Sequence, residues 1–195
     1  DDEEAQSIVD FMQSENERRQ SIVNQIVEEA TPLIQEQLNQ PVLVLAQPGW
    51  HEGVLGIVAG RLLEELGQTV IVLNIEDGRA KGSARSIEAV DIFEALDPHR
   101  DLFIAFGGHA GAAGMTLEVE KLSDLSQVLE DYVREKGADA TGKNKLNLDE
   151  ELDLETLSLE TVKNFERLAP FGMDNQKPVF YIKDFQVESA RTMGA

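Results

Sequence analysis

Cysteine is absent from the 195 residues, tryptophan occurs once and histidine three times. Without cysteine the chain has neither disulfides nor thiolate metal sites, in keeping with a reducing compartment. Three separated histidines are too few for a dedicated zinc site, which takes three or four close ligands. His51-Glu52 does not open an HExxH metalloprotease helix, because position 55 is leucine. No run of about 18 apolar residues is present to span a bilayer, and the acidic opening Asp1-Asp2-Glu3-Glu4 is the opposite of a signal peptide's basic start. A cytoplasmic protein with no membrane partner is the expectation. Cations are scarce too: 17 Lys and Arg against 37 Asp and Glu leave a formal charge of −20, which opposes binding of a polyanion.

The acids, though many, are unevenly spread. None falls in the windows 37–51, 53–63, 78–87 and 102–117. Some acid-free windows are simply buried strands, and 37–46 reads that way. Only 78–87 combines freedom from acids with three cations, Arg79, Lys81 and Arg85. A small positive cleft on an acidic body still focuses a polyanion locally.

An apolar content of 42% suffices for a substantial core. From Glu4 to about Ala30 the apolar residues follow helical spacing around a polar centre, Ser14 to Ser21, which suits a connector between two bodies. Thr31-Pro32 predicts the cap of a second short helix, Pro32 to Leu38. Pro41 to Gln47 and Gln68 to Ile75 read as buried strands on either side of a helix from Gly53 to Leu66, closed by Gly67, which implies a right-handed parallel crossover. Glu76-Asp77-Gly78 is a hairpin turn, returning Arg79 to Ser86 antiparallel. Gly82 inside that strand marks a bulge or a close backbone approach, aiming Ser83, Arg85 and Ser86 at a ligand. A short helix from Val90 is ended by Pro98. Strands at Leu102 to Phe106 and Met115 to Val119 flank a glycine-rich loop, and an amphipathic helix, Leu122 to Lys136, closes at Gly137. Residues 138–147 read as a linker. Leu148, Leu152, Leu154 and Leu157 then alternate with acids, and a helix from Leu159 to Leu168 is stopped by Pro170. The fold class expected is α/β: a mixed sheet with flanking helices, preceded by a long connector helix and followed by a linker into a partial β segment.

The glycine loop has two readings. Gly107, Gly108, Gly111 and Gly114 permit positive φ, so that backbone N–H groups converge on a phosphate beside His109; alternatively the small residues only let elements pack. Each other candidate is also two-sided. His51 follows a strand and precedes a helix N-terminus that favours anions, or is a hydrogen-bonded structural histidine. Trp50 stacks on a base, or lies in the core. Arg85, flanked by Ser83 and Ser86, matches phosphate bidentately, or pairs with Glu88.

The residues GGHAGAAG at Gly107 to Gly114 closely resemble the GGHxxAAG signature of the DHH-associated domain in the DHH phosphoesterase superfamily. PGWHEGVLGIVAGRLLEEL from Pro48 and KGSARS from Lys81 resemble the same domain in RecJ-type single-strand-specific exonucleases, and PFGMDNQKPVFYIKDFQV resembles the entry to that family's OB-type barrel. The resemblance covers about residues 5 to 190. It implies a connector from a catalytic domain at 1–39, the DHH-associated domain at 40–137, a linker and short helix at 138–170, and the start of a truncated OB-like domain at 171–195. It implies the single-stranded-DNA-binding half of a 5′-to-3′ exonuclease acting in DNA repair and recombination. Trp50, His51, Lys81, Ser83, Arg85, Ser86, Gly107, Gly108, His109, Ala112, Ala113 and Gly114 would face the strand, with His51 and His109 assisting.

No Asp-His-His triplet occurs here; the nearest strings are DPH at Asp97 and GGH at Gly107. Hydrolysis in this family implies Mn²⁺ or Mg²⁺ in a preceding DHH domain, which this chain would contact intramolecularly, leaving the present residues without metal, cofactor or activity of their own. Two alternatives stay open: a DHH-type phosphodiesterase for short oligonucleotides or cyclic dinucleotides, and a non-enzymatic acidic scaffold.

Overall fold

The computed structural model describes residues 2–137, 148–153, 157–172, 175–184, 186 and 189–191. They form two units, residues 1–144 and 145–195. The linker expected over 138–147, Leu154, and parts of PFGMDN and the final segment lie outside the described residues.

The first unit opens with helix α1 (Asp2–Glu36). One helix stands where two were expected, because Pro32 lies inside it. Proline removes the N–H that would bond to the Glu28 carbonyl, but the Thr31 hydroxyl donates one turn back to the Val27 carbonyl at 3.1 Å. Ala30 and Ile34, on either side of Pro32, are buried. Packing of that face outweighs the lost bond. The helix is packed only through its C-terminal half, where Val23, Ile26, Ala30 and Ile34 enter the core; Ile8, Val9, Phe11 and Met12 are exposed.

Five strands follow: β1 (Val42–Pro48), β2 (Thr69–Glu76), β3 (Arg79–Arg85), β4 (Phe103–His109) and β5 (Ala112–Glu118), in sheet order β1-β2-β3-β5-β4. Only β1 and β2 are parallel, joined by a 3-10 turn (Glu52–Val54) and helix α2 (Leu55–Leu66), with Gly67 left-handed at φ 64° as the cap. Asp77 at φ 49° and Gly78 at φ 76° make the β2–β3 hairpin turn, the conformation that matches strand twist. At the β1 edge, the Gln37 amide both donates to and accepts from the Val44 backbone, at 2.9 and 3.0 Å.

The two faces of the sheet are covered differently. On one, α3 (Ile92–Leu96) and α4 (Leu122–Lys136) bury Ala80, Ala84, Ala113, Met115 and Leu117. On the other, α1 and α2 bury Leu43, Leu45, Val70 and Val72 of β1 and β2. Beyond β3 that second face has no such cover among the described residues.

The glycine loop is not a loop. Pairing runs unbroken through Gly107↔Gly114 to His109↔Ala112, leaving only Ala110-Gly111 as the turn. None of Gly107, Gly108, Gly111 and Gly114 takes a left-handed φ. The turn carbonyls are already engaged, Gly111 O with Ser86 N and Ala110 O with Ile92 N, both at 3.0 Å. No convergent nest of N–H groups forms. Gly82 likewise is no bulge, since register is continuous on both its sides. It answers instead to close backbone approach, because a Cβ there would overlap the Val72 carbonyl.

The second unit holds a short parallel pair, β6 (Glu150–Glu151) and β7 (Phe180–Tyr181), and helix α5 (Leu159–Glu166). Ser158 caps α5 by accepting from Thr161 N at 3.1 Å.

Candidate nucleic-acid interface

Strand alternation and register set out the uncovered face of the first unit. Side chains two apart share a face, and the pairs Arg85↔Ala112↔His109, Ser83↔Gly114↔Gly107 and Lys81↔Thr116↔Ala105 form three rows across β3, β5 and β4. None of these nine residues is acidic and none is buried. Their centre is a floor of glycine and alanine. Arg85 and Lys81 rise on one side and His109, about two strand spacings or roughly 10 Å away, on the other.

Arg85 lies against the first turn of α2. A Cβ on Gly56 would meet Arg85 Nη2 at 2.9 Å and Ser83 Oγ at 3.4 Å, so the bare Gly56 backbone leaves the space they occupy. Arg85 Nη1 donates to the Ala84 carbonyl at 2.8 Å. The ion pair with Glu88, the competing reading of Arg85, is not among those of the described residues, and no carboxylate among them partners the guanidinium. The N-terminal end of α2 adds positive potential beside it. Both features favour an anion.

His51 and His109 are oriented alike. Each Nδ1 accepts a backbone N–H two residues on, from Gly53 at 3.1 Å and Gly111 at 3.2 Å. Each neutral ring therefore carries its proton on Nε2, the nitrogen left for a ligand. His51 caps the 3-10 turn at the end of β1, whereas His109 stands in the open rows.

Several expected site residues lie elsewhere. Trp50 is 2% exposed and packs with Val54, Leu55 and Val58, so it is a core residue and not a stacking platform. Ser86 faces inward, its hydroxyl shared with Thr69 and the Val90 carbonyl. Gly108 and Ala113 pair on the helix-covered face; Ala113 is buried, and a Cβ on Gly108 would overlap the Ala112 carbonyl. Sequence reasoning passed over Gly56 and Glu52. The helical spacing of Gly53, Gly56 and Gly60 was the available signal for the first; Glu52 left none beyond its place after His51.

Lys81 Nζ meets Glu52 Oε2 at 2.5 Å. Among the described residues no three His, Asp or Glu side chains converge so as to hold a metal ion, and no helix is long and apolar enough to cross a membrane.

The DHHA1 domain matches residues 39–135 and the RecJ OB domain residues 148–195. The chain is 35% identical to the single-stranded-DNA-specific exonuclease RecJ of Bacillus subtilis (strain 168), over 98% of this chain and 25% of that protein. It is 29% identical to the protein of the same name from Thermus thermophilus, over 98% of this chain and 27% of that one. The crystal structure of RecJ from Thermus thermophilus in complex with Mn²⁺ superposes with a TM-score of 0.81 at 27% identity, covering 93% of this chain and 27% of that one. The Mg²⁺ complex from the same organism gives 0.80 at 28%, covering 92% and 28%. The chain spans about a quarter of the length of the curated relatives it matches.

Proposed function

The chain belongs to the RecJ family, carrying its DHHA1 and OB domains, and on that premise we propose that it is the strand-gripping part of a single-stranded-DNA exonuclease. The open rows of β3, β5 and β4 hold the phosphodiester backbone. Arg85 contributes a two-pronged charge-assisted contact, Ser83 and the Nε2–H groups of His51 and His109 donate further hydrogen bonds, and the Gly107/Gly114 floor lets the strand approach the sheet closely. What carries this reading is three adjoining rows whose own nine residues include no acid, with one guanidinium that has no carboxylate partner among the described residues, on a chain of charge −20.

Among the described residues none group so as to fit a metal centre, so no step of hydrolysis is assigned to them. In the whole enzyme, Mn²⁺- or Mg²⁺-dependent cleavage belongs to a DHH domain facing this sheet across the bound strand, and the activity serves DNA repair and recombination in the cytoplasm. A phosphodiesterase for short oligonucleotides or cyclic dinucleotides would use the same face. The RecJ OB match favours the longer strand.

Fluorescence anisotropy of labelled oligo(dT) with the 195-residue chain tests this. Affinity is expected in the micromolar range or weaker, with log Kobs falling by about 0.7 per phosphate contact for each unit of log salt. Binding indifferent to salt would contradict the proposal. Equal affinity for dinucleotides and long strands would favour the second reading.

A further inference from the structure

The three cations of β3 stand in different company. Arg79 Nε is 3.9 Å from Glu118 Oε1 and Lys81 Nζ is 2.5 Å from Glu52 Oε2, while Arg85 has no carboxylate partner among the described residues. The strand therefore grades from neutralised at its hairpin end to open at the other. Glu52 reaches Lys81 from a separate element, the 3-10 turn after β1. The pair lines one side of a cleft of about 220 Å³, together with Asn74, Glu76, Asp77 and Arg79. The Lys81 and Glu52 side chains are 57% and 38% exposed, so the pair adds little to stability, and water or an anion can reach both partners.

We propose that Glu52 is a specificity-determining carboxylate, an internal stand-in for phosphate that occupies Lys81 and keeps polyanions off the hairpin end of β3. This rests on the reading of the open face as the strand's site. A carboxylate and a phosphate oxygen compete for the same ammonium. A ligand that touches only the Lys81 end meets Glu52, Glu76 and Asp77 and is repelled; one that also engages Arg85 gains enough to displace Glu52. The pair thus raises the threshold for binding without blocking the site, selecting ligands with several correctly spaced phosphates over single anions.

The test is a double-mutant cycle on the 195-residue chain, read by anisotropy of labelled oligo(dT), with thermal unfolding of each variant as the fold control. Glu52→Gln is expected to tighten binding about fivefold at low salt and to steepen the salt slope by about 0.7, one further phosphate contact. In a Lys81→Met background the same substitution is expected to lose that gain. A gain that persists without Lys81 would reduce Glu52 to a general contribution to net charge and overturn the proposal. No gain from Glu52→Gln, while Arg85→Ala still weakens binding, would overturn the proposal alone. If neither substitution changes binding, the reading of the face fails with it.

Discussion

Trp50 Nε1 donates to Glu29 Oε2 across 2.8 Å, and this contact fastens helix α1 to the turn that carries His51. The buried indole thereby satisfies its one polar atom, and its burial separates the structural half of Trp50-His51 from the half that faces solvent.

The same contact makes a pH prediction. Hydrogen bonds from Gln25 first and Trp50 second hold the Glu29 carboxyl below the usual glutamate range. A depressed folded value means that the contribution is present above the unfolded value and is lost as pH falls through the folded one. Emission of Trp50, the only tryptophan, should therefore stay constant where an ordinary glutamate titrates and change only at lower pH. Glu29→Gln, which keeps an acceptor oxygen, should remove that transition. A midpoint in the ordinary range, or one unchanged in the variant, would count against the assignment.

The glycines of the two motifs KGSARS and GGHAGAAG should divide into two kinds. A Cβ at Gly82 or Gly108 would overlap a backbone carbonyl, whereas Gly107 has nothing within 4 Å and Gly114 only the Gly82 carbonyl at 4.0 Å. Gly82→Ala and Gly108→Ala are expected to destabilise by about 1–3 kcal/mol or more, as forced overpacking does. Gly107→Ala and Gly114→Ala should unfold no earlier than the parent yet bind oligo(dT) more weakly, because their methyl groups rise from the floor of the site. Thermal unfolding beside anisotropy separates the pairs; four equal losses of stability would erase the distinction.

Gly56→Ala should move stability and affinity in opposite directions. In a helix, alanine is favoured over glycine by about 1 kcal/mol, and the nearest neighbours of the new methyl are the far end of Arg85 and the Ser83 hydroxyl. The guanidinium must shift, so the melting temperature should rise while DNA affinity falls. A fall in both would mean that the neighbours cannot give way.

Much of this architecture was legible in residues. The β-branched runs at Val42 and Thr69, the cap at Gly67 and the Asp77-Gly78 turn each follow from local chemistry that tertiary packing does not oppose. Pro32 misled because the burial of Ala30 and Ile34, invisible locally, outweighed a missing hydrogen bond. The hairpin at Ala110-Gly111 was hidden by reading glycine as freedom; the apolar period of two at Ala113, Met115 and Leu117 was the better signal. The register makes KGSARS and GGHAGAAG direct neighbours, on β3 and β5, a pairing that neither motif encodes by itself. Glu52 on Lys81 joins positions 29 apart through a turn, and no sequence period encodes that.

Binding by Arg85 is the most direct test of the account. In anisotropy with oligo(dT), Arg85→Ala in the 195-residue chain is expected to cost about 2 kcal/mol, roughly thirtyfold in affinity, with Arg85→Lys recovering little because a point charge lacks the guanidinium fork, and with thermal unfolding of both variants unchanged. Equal affinity of parent and Arg85→Ala, or a loss matched by loss of the fold, would contradict the assignment of this face to the strand.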